Sequence, residues 1–395
     1  MDKRKFIKQI SSYFAAASFP GFLVSCAGEK TNNNIFKIGF MLPYSGTYAR
    51  LGFNIENGFM LSLESFNFDP KIIKFEFIRL DDESNPSKAA ENVNKLINKD
   101  KVDVIIGTVH SGVAMGMIKA IKNSNSALII PNAGANAATR SMCANNVFRT
   151  SFSNWQPIYP LGKVIVDDGH KNVVFVTWKY AAGNEARDSF SEGLIKSGGK
   201  LIKVFQLPFP SVEFQSILTE IASIQPDAVA CFFAGGGAVK FVKDYVSLGL
   251  KNKIPLYGNG FLTEGVLEAL GNDAEGIKTT LHYSDDLPND ANLEFRDKYQ
   301  KKFNQFPDVY SVQGYDAGLL LFNTLNNLQE KKNINLLISS MKNAKVLNSP
   351  RGPWMLSSSN NPVQNIYLRE VKNGKNQLIG KAWENLEDPS SECRI

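Results

Sequence analysis

A short apolar run, Ile38 to Leu42, stops at Pro43 and gives way to Ser45, Gly46 and Gly52; beyond them Ile55, Phe59, Leu61 and Leu63 are spaced for one helical face. A strand that ends in a small-residue turn and feeds a helix is the opening unit of an α/β sheet. The alternation continues. Strand patterns fall at Phe36–Leu42, Ile73–Arg79, Val102–Ile106, Leu128–Ile130, Val173–Thr177, Leu201–Gln206, Ala228–Phe233, Leu256–Tyr257 and Gly276–Leu281. Helical patterns lie between them, at Ile55–Phe66, Pro86–Asn98, Val113–Asn123, Ile158–Asp168, Glu185–Ser197, Glu213–Ile224, Ala238–Leu248 and Thr263–Leu270. Such alternation predicts parallel sheets covered by helices on both faces, with right-handed crossovers. Two blocks, residues 35–152 and 155–283, read as two successive sheets, and Arg149 to Pro157 reads as the first crossover. The last third differs: helices at Glu294–Phe303 and Val309–Leu328 precede a Pro/Gly/Ser-rich stretch and then a hairpin, Gln364–Val371 and Gln377–Lys381, turning at Asn373-Gly374. Small ligands of open α/β sheets bind beyond the carboxyl ends of the strands, which makes the Pro43–Gly52 loop a candidate ligand wall.

The N-terminus reads as an address rather than as part of the fold. Lys3, Arg4, Lys5 and Lys8 form a basic region, a modestly apolar segment follows, and Leu23-Val24-Ser25-Cys26 closes it. The pattern resembles a bacterial lipobox, with Cys26 lipidated and residues 1–25 removed; Lys3-Arg4-Lys5-Phe6-Ile7-Lys8 also resembles a twin-arginine signal with Lys in place of the first Arg. Residues 26–34, rich in Asn, read as a tether. Loss of residues 1–25 takes away four basic side chains and Asp2, so the formal charge falls from +6 to +3, and the remaining basic residues form no block. Nucleic acid is therefore a poor partner.

Chemistry-bearing residues are sparse. Cys143, Cys231 and Cys393 lack zinc or disulfide-framework spacing, and a Cys143–Cys393 bridge is left open. His110, His170 and His282 form no metal-binding pattern. Gly235-Gly236-Gly237 lacks both the P-loop Lys-Ser/Thr and the dinucleotide fingerprint, and no nucleophile elbow occurs, so neither a cofactor nor catalysis is expected.

An ordered set of segments gives the chain its kinship: Ile38–Leu42 with Pro43, Ser45, Gly46 and Gly52; Asp81-Asp82 and Pro86; Val104–Gly107 with Ser111 and Gly112; Ile130–Ala135; Val173–Thr177 with Gly183; and Tyr315-Asp316-Ala317. Together they resemble the leucine/isoleucine/valine-binding type of periplasmic solute receptor serving ABC importers. The resemblance implies two Rossmann-like lobes with parallel central sheets joined by a three-strand hinge. Lobe I would hold residues 35–152 and 286–357, lobe II residues 153–285 and 358–388, with 389–395 as a tail. It also implies permease subunits as partners and a ligand trapped as the lobes close.

Carried over residue by residue, the resemblance implies a carboxylate grip at Ser111 and Gly112 and main-chain contacts from Ala133, Gly134 and Ala135. Where α-amino-acid binders commonly carry a threonine, this chain has Ala135. Where they carry an acid after the strand near Tyr257, it has Gly258-Asn259-Gly260-Phe261, with Glu264 the nearest carboxylate. A buried ammonium without a carboxylate is costly, so these losses select against amino acids. Tyr48, Leu51, Trp155, Trp178, Tyr180, Phe261 and Tyr315 complete the expected wall, and Arg50 and Arg149 are candidate partners for the anion. The runs Phe148–Pro157 and Trp178–Gly183 look like a subgroup associated with aromatic-acid uptake, so a benzoate-like acid is the expected ligand; the alternative is a branched-chain amino-acid or amide receptor or sensor.

Overall fold

The computed structural model describes residues 34–395, so the signal segment with Cys26 and nearly all of the tether lie outside the described residues. Five strands, β1 (Ile35–Leu42), β2 (Lys74–Asp81), β3 (Val104–Ile106), β4 (Ala127–Ile130) and β5 (Val147–Arg149), form an all-parallel sheet in the order β2-β1-β3-β4-β5. A second sheet contains β6 (Asn172–Lys179), β7 (Lys200–Pro208), β8 (Ala228–Phe232), β9 (Leu256–Asn259), β10 (Lys278–Leu281), β11 (Lys345–Val346), β12 (Trp354–Leu356), β13 (Pro362–Lys372) and β14 (Lys375–Leu386). Its order is β11-β12-β13-β10-β9-β8-β6-β7, with β14 on the far side of β13. Strands β6 to β10 pair in parallel, and β13 joins β10 and β14 antiparallel. The expected α/β architecture of two parallel-sheet lobes is the one observed.

Sequence accounts for these choices locally. Strands β3, β4, β5 and β8 are buried at every position, as parallel strands covered on both faces must be. The β13–β14 hairpin turns at Asn373 (φ 53°) and Gly374 (φ 70°), the left-handed pair that a two-residue hairpin of the correct twist needs. After β10 the chain returns to the first sheet, where the helix Val309–Asn327 packs on the helix Ala49–Leu63. The two backbones nearly touch: a Cβ on Gly58 would lie 1.8 Å from the Ser311 carbonyl oxygen.

Buried side chains pin the crossings between the sheets. Arg149 Nε donates to Asn361 Oδ1 (2.7 Å) and its Nη1 to the Ala135 carbonyl (2.6 Å). Arg351 bonds Asp316 at 2.5 Å and donates to the carbonyls of Thr150 (2.6 Å) and Ser151 (3.1 Å). Gln156 Nε2 donates to the carbonyls of Pro362 and Leu386, both at 2.8 Å. The C-terminal segment adds a further link. Beyond β14, Asp388 accepts both Arg140 Nη2 (2.8 Å) and Nε (3.0 Å), and Cys393 is disulfide-bonded to Cys143, with Cα atoms 5.6 Å apart.

Among the strands and α-helices, four elements escape the sequence reading: β5, the helix Ile334–Lys342, β11 and β12, the last two forming a pair. That pair falls in the stretch assigned from sequence to lobe I, yet it pairs toward β13. Two- and three-residue strands are too short to show periodicity, so only the partner strand defines them.

Candidate functional site

The carboxyl ends of β1, β3 and β4 face those of β6, β8 and β9 across a small cavity. The first sheet contributes Tyr48 and Leu51 after β1, Val109, His110 and Ser111 after β3, and Asn132 and Gly134 after β4. The second contributes Tyr180 and Ala182 after β6, Phe232 and Ala234 at and after the end of β8, and Phe261 after β9. Phe152 and Asn154 come from the first crossing, and Tyr310 from the start of the helix Val309–Asn327.

One end of the cavity is polar. Ser111 opens the helix Ser111–Ile121, whose N-terminus carries the positive end of the helix dipole. Asn154 Nδ2 lies 3.5 Å from Ser111 Oγ and donates to Glu185 Oε2 at 2.7 Å. Glu185 stands behind the lining and also accepts the Asn136 backbone N–H at 2.9 Å; burial pushes its carboxyl above the ordinary range. His110 Nδ1 accepts the Gly112 backbone N–H at 3.1 Å, so the neutral ring carries its proton on Nε2. Burial holds the His110 pKa down at about 4, which keeps the ring neutral at pH 7.

The rest is aromatic. The rings of Phe152 and Phe261 are 5.1 Å apart, Phe261 stacks on Tyr310 at 5.7 Å, and His110 lies 5.4 Å from Tyr180. Burial raises the phenols of Tyr48, to about 12, and of Tyr180 and Tyr310. None of the fifteen lining residues carries a carboxylate, a guanidinium or an ammonium. Such a cavity suits a flat apolar body with one polar or anionic end held by neutral donors.

Six residues named from sequence, Tyr48, Leu51, Ser111, Gly134, Tyr180 and Phe261, line this cavity together. Four others stand off it. The Gly112 N–H is engaged by His110, Ala133 donates its N–H to the Thr108 carbonyl (2.9 Å), and the Ala135 carbonyl accepts Arg149. Tyr315 faces away, with its ring 4.8 Å from Phe295 and its hydroxyl near Ser65. Tyr310 and Tyr315 lie on one helix five residues apart, which turns them about 140° from each other. Trp155 stacks on Tyr159 at 4.4 Å and donates to Glu192, while Trp178 is packed against Phe233 and Gly237 and donates to the Ser211 carbonyl at 2.7 Å. Arg149 is spent on the crossing, and Arg50 is exposed outside the cavity. The acid nearest in sequence, Glu264, is buried in an ion pair with Arg369 at 2.7 Å.

His110, Asn154, Phe152 and Tyr310 were missed as lining. His110 adjoins the named Ser111 and shares the cavity wall with it, whereas Tyr310 lies five positions before the named Tyr315 on another face of the same helix.

The model of the periplasmic binding protein family matches residues 36–376. The chain belongs to that family. Among other members, this periplasmic binding protein is 29% identical to Leu/Ile/Val-binding protein homolog 6 of Brucella melitensis, over 88% of this chain and 90% of the relative. Two solved structures superpose closely. An ABC-transporter solute-binding protein of R. palustris in complex with benzoate shares 46% identity with a TM-score of 0.88, covering 91% of this chain and all of the other. A counterpart from Rhodopseudomonas palustris BisB5 in complex with 3,4-dihydroxybenzoic acid shares 30% identity with a TM-score of 0.85, covering 90% and 99%. Both solved structures are of ABC-transporter solute-binding proteins. Among the described residues no helix is long and apolar enough to cross a membrane.

Proposed function

We propose that this chain is the extracytoplasmic solute receptor of an ABC importer and that it carries a small aromatic carboxylate, a benzoate or a close derivative. The observation that carries this reading is the cavity itself: aromatic walls, neutral donors at one end, and no carboxylate on its lining to balance an ammonium. Ser111, Asn154 and the Nε2–H of His110 would hold the carboxylate against the helix N-terminus, and Tyr48, Leu51, Tyr180, Phe152, Phe261 and Tyr310 would enclose the ring. An anion bound by fixed neutral dipoles avoids the desolvation of a second charge. The complexes of the two R. palustris proteins with benzoate and 3,4-dihydroxybenzoic acid support the ligand class.

The mechanism in this reading is closure. Residues from both sheets touch one ligand, so the ligand favours the state in which they meet, and permease subunits respond to that state. The lipobox-like Leu23–Cys26 supports lipid anchoring at Cys26 on the outer side of a membrane, with residues 26–34 as tether. Calorimetric titration with benzoate, hydroxybenzoates, leucine and valine tests the ligand. Micromolar or tighter binding of an aromatic acid is the expected result; tight leucine binding with no heat from aromatic acids overturns it.

A further inference from the structure

One cavity-lining residue, Tyr310, only 1% exposed, carries a buried hydroxyl with no hydrogen-bond partner among the described residues. Buried hydroxyls are almost always partnered, and an unpartnered one costs free energy in any complex that leaves it so. The charged groups Asp308, Glu264 and Arg369 and the phenol of Tyr48 act on the Tyr310 hydroxyl electrostatically. Tyr48 and Tyr180 share the cavity wall, and each of the three phenols lies within electrostatic reach of at least one of the others. The ring row Tyr310, Phe261, Phe152 leads from that hydroxyl toward Gly134 and Asn154, the end where Ser111 sits. A ligand with its carboxylate at Ser111 therefore presents its opposite edge to Tyr310.

We infer that Tyr310 reads a hydroxyl on the ligand ring, so that the preferred solutes are hydroxybenzoates and not unsubstituted benzoate. This rests on the aromatic-carboxylate reading above and sharpens it. A phenol both donates and accepts, and so completes the Tyr310 hydroxyl, whereas a C–H edge leaves it bare. The hydroxyl must be meta or para, because an ortho group lies beside the carboxylate.

Calorimetric titration of the protein with benzoate, 3-hydroxybenzoate, 4-hydroxybenzoate and 4-methylbenzoate tests this, together with the variant Tyr310→Phe. A hydroxybenzoate should bind at least about tenfold more tightly than benzoate and 4-methylbenzoate, the latter matching 4-hydroxybenzoate in size without the hydrogen bond. Tyr310→Phe should erase that preference, so that 4-hydroxybenzoate and 4-methylbenzoate bind alike. Benzoate binding as tightly as every hydroxybenzoate, or a preference that survives in Tyr310→Phe, overturns the inference and leaves the aromatic-acid receptor standing. No binding of any of the four acids removes both. Should Tyr310→Phe fail to fold, the comparison of 4-hydroxybenzoate with 4-methylbenzoate on the unmodified protein decides.

Discussion

Glu264 reaches across the molecule to the first residue of the helix Val309–Asn327: its Oε1 accepts the Val309 backbone N–H at 2.9 Å while its Oε2 holds Arg369 Nη1 of β13 at 2.7 Å. Val309 begins a helix packed on the first lobe, and Arg369 belongs to the second sheet, so a single carboxylate joins the two. Arg369 is fully buried and otherwise meets only carbonyl and hydroxyl oxygens, those of Gly260, Tyr283 and Thr279. Glu264→Gln leaves that buried guanidinium without its hydrogen-bonded carboxylate, and about 3 kcal/mol of stability should be lost. Chemical denaturation measures this, and an unchanged midpoint and slope would refute the link.

The cavity depends on bare backbone at Gly134. A Cβ there would sit 2.2 Å from Asn154 Oδ1 and 2.7 Å from the Phe152 ring, driving both into the space they line. Gly134→Ala should weaken aromatic-acid binding by at least about tenfold, with a thermal midpoint that falls by only a few degrees. Undiminished affinity for every ligand of the unmodified protein would show that this wall is not in contact with solute.

The Cys143–Cys393 bridge closes a loop of 250 residues. By the chain-entropy estimate a loop of that length contributes about 5 kcal/mol. A Cys143→Ser, Cys393→Ser double variant should therefore melt well below the oxidised protein. Reductant should shift the unmodified protein toward the variant and leave the variant itself unmoved; coincident melting curves for all samples would mean that the bond is absent in solution.

His110 gives a pH dependence whose sign is fixed. Its folded-state pKa, about 4, lies below the unfolded value near 6.5, so the unfolded chain binds more protons between those limits. The contribution is intact above pH 6.5 and is lost as pH falls toward 4, by up to about 3 kcal/mol. Because several buried carboxyls titrate in the opposite sense, the test is a difference. The stability of the unmodified protein minus that of His110→Gln should decline on acidification across this window. A pH-independent difference would place His110 in solvent.

The architecture was legible because each strand–helix unit carries its own hydrophobic period, and the hairpin because Asn373-Gly374 states its turn. The helix starts were less legible. The helices Ala49–Leu63, Trp155–Asp167, Ala181–Lys196 and Gly235–Ser247 all begin three to six residues before the periodic pattern does. Those first turns hold Ala, Gly and aromatic residues that face the cavity or pack tightly, as Gly237 does on Trp178, and so they lack the apolar stripe of a core-facing helix. The site shows the same limit. Loops supplied the correct neighbourhood, but the choice between Tyr310 and Tyr315, or between His110 and Gly112, depends on helical phase and local hydrogen bonds that one-dimensional spacing does not carry.

The segment after β14 leaves the sheet of the strand that precedes it. Asp388 is clasped by Arg140, and Cys393 is bonded between β4 and β5, so this segment is moored to the opposite half of the molecule. A fluorophore attached beyond Cys393 would thus travel with the first sheet, and a distance measured from it to a label on β7 would report the hinge angle directly.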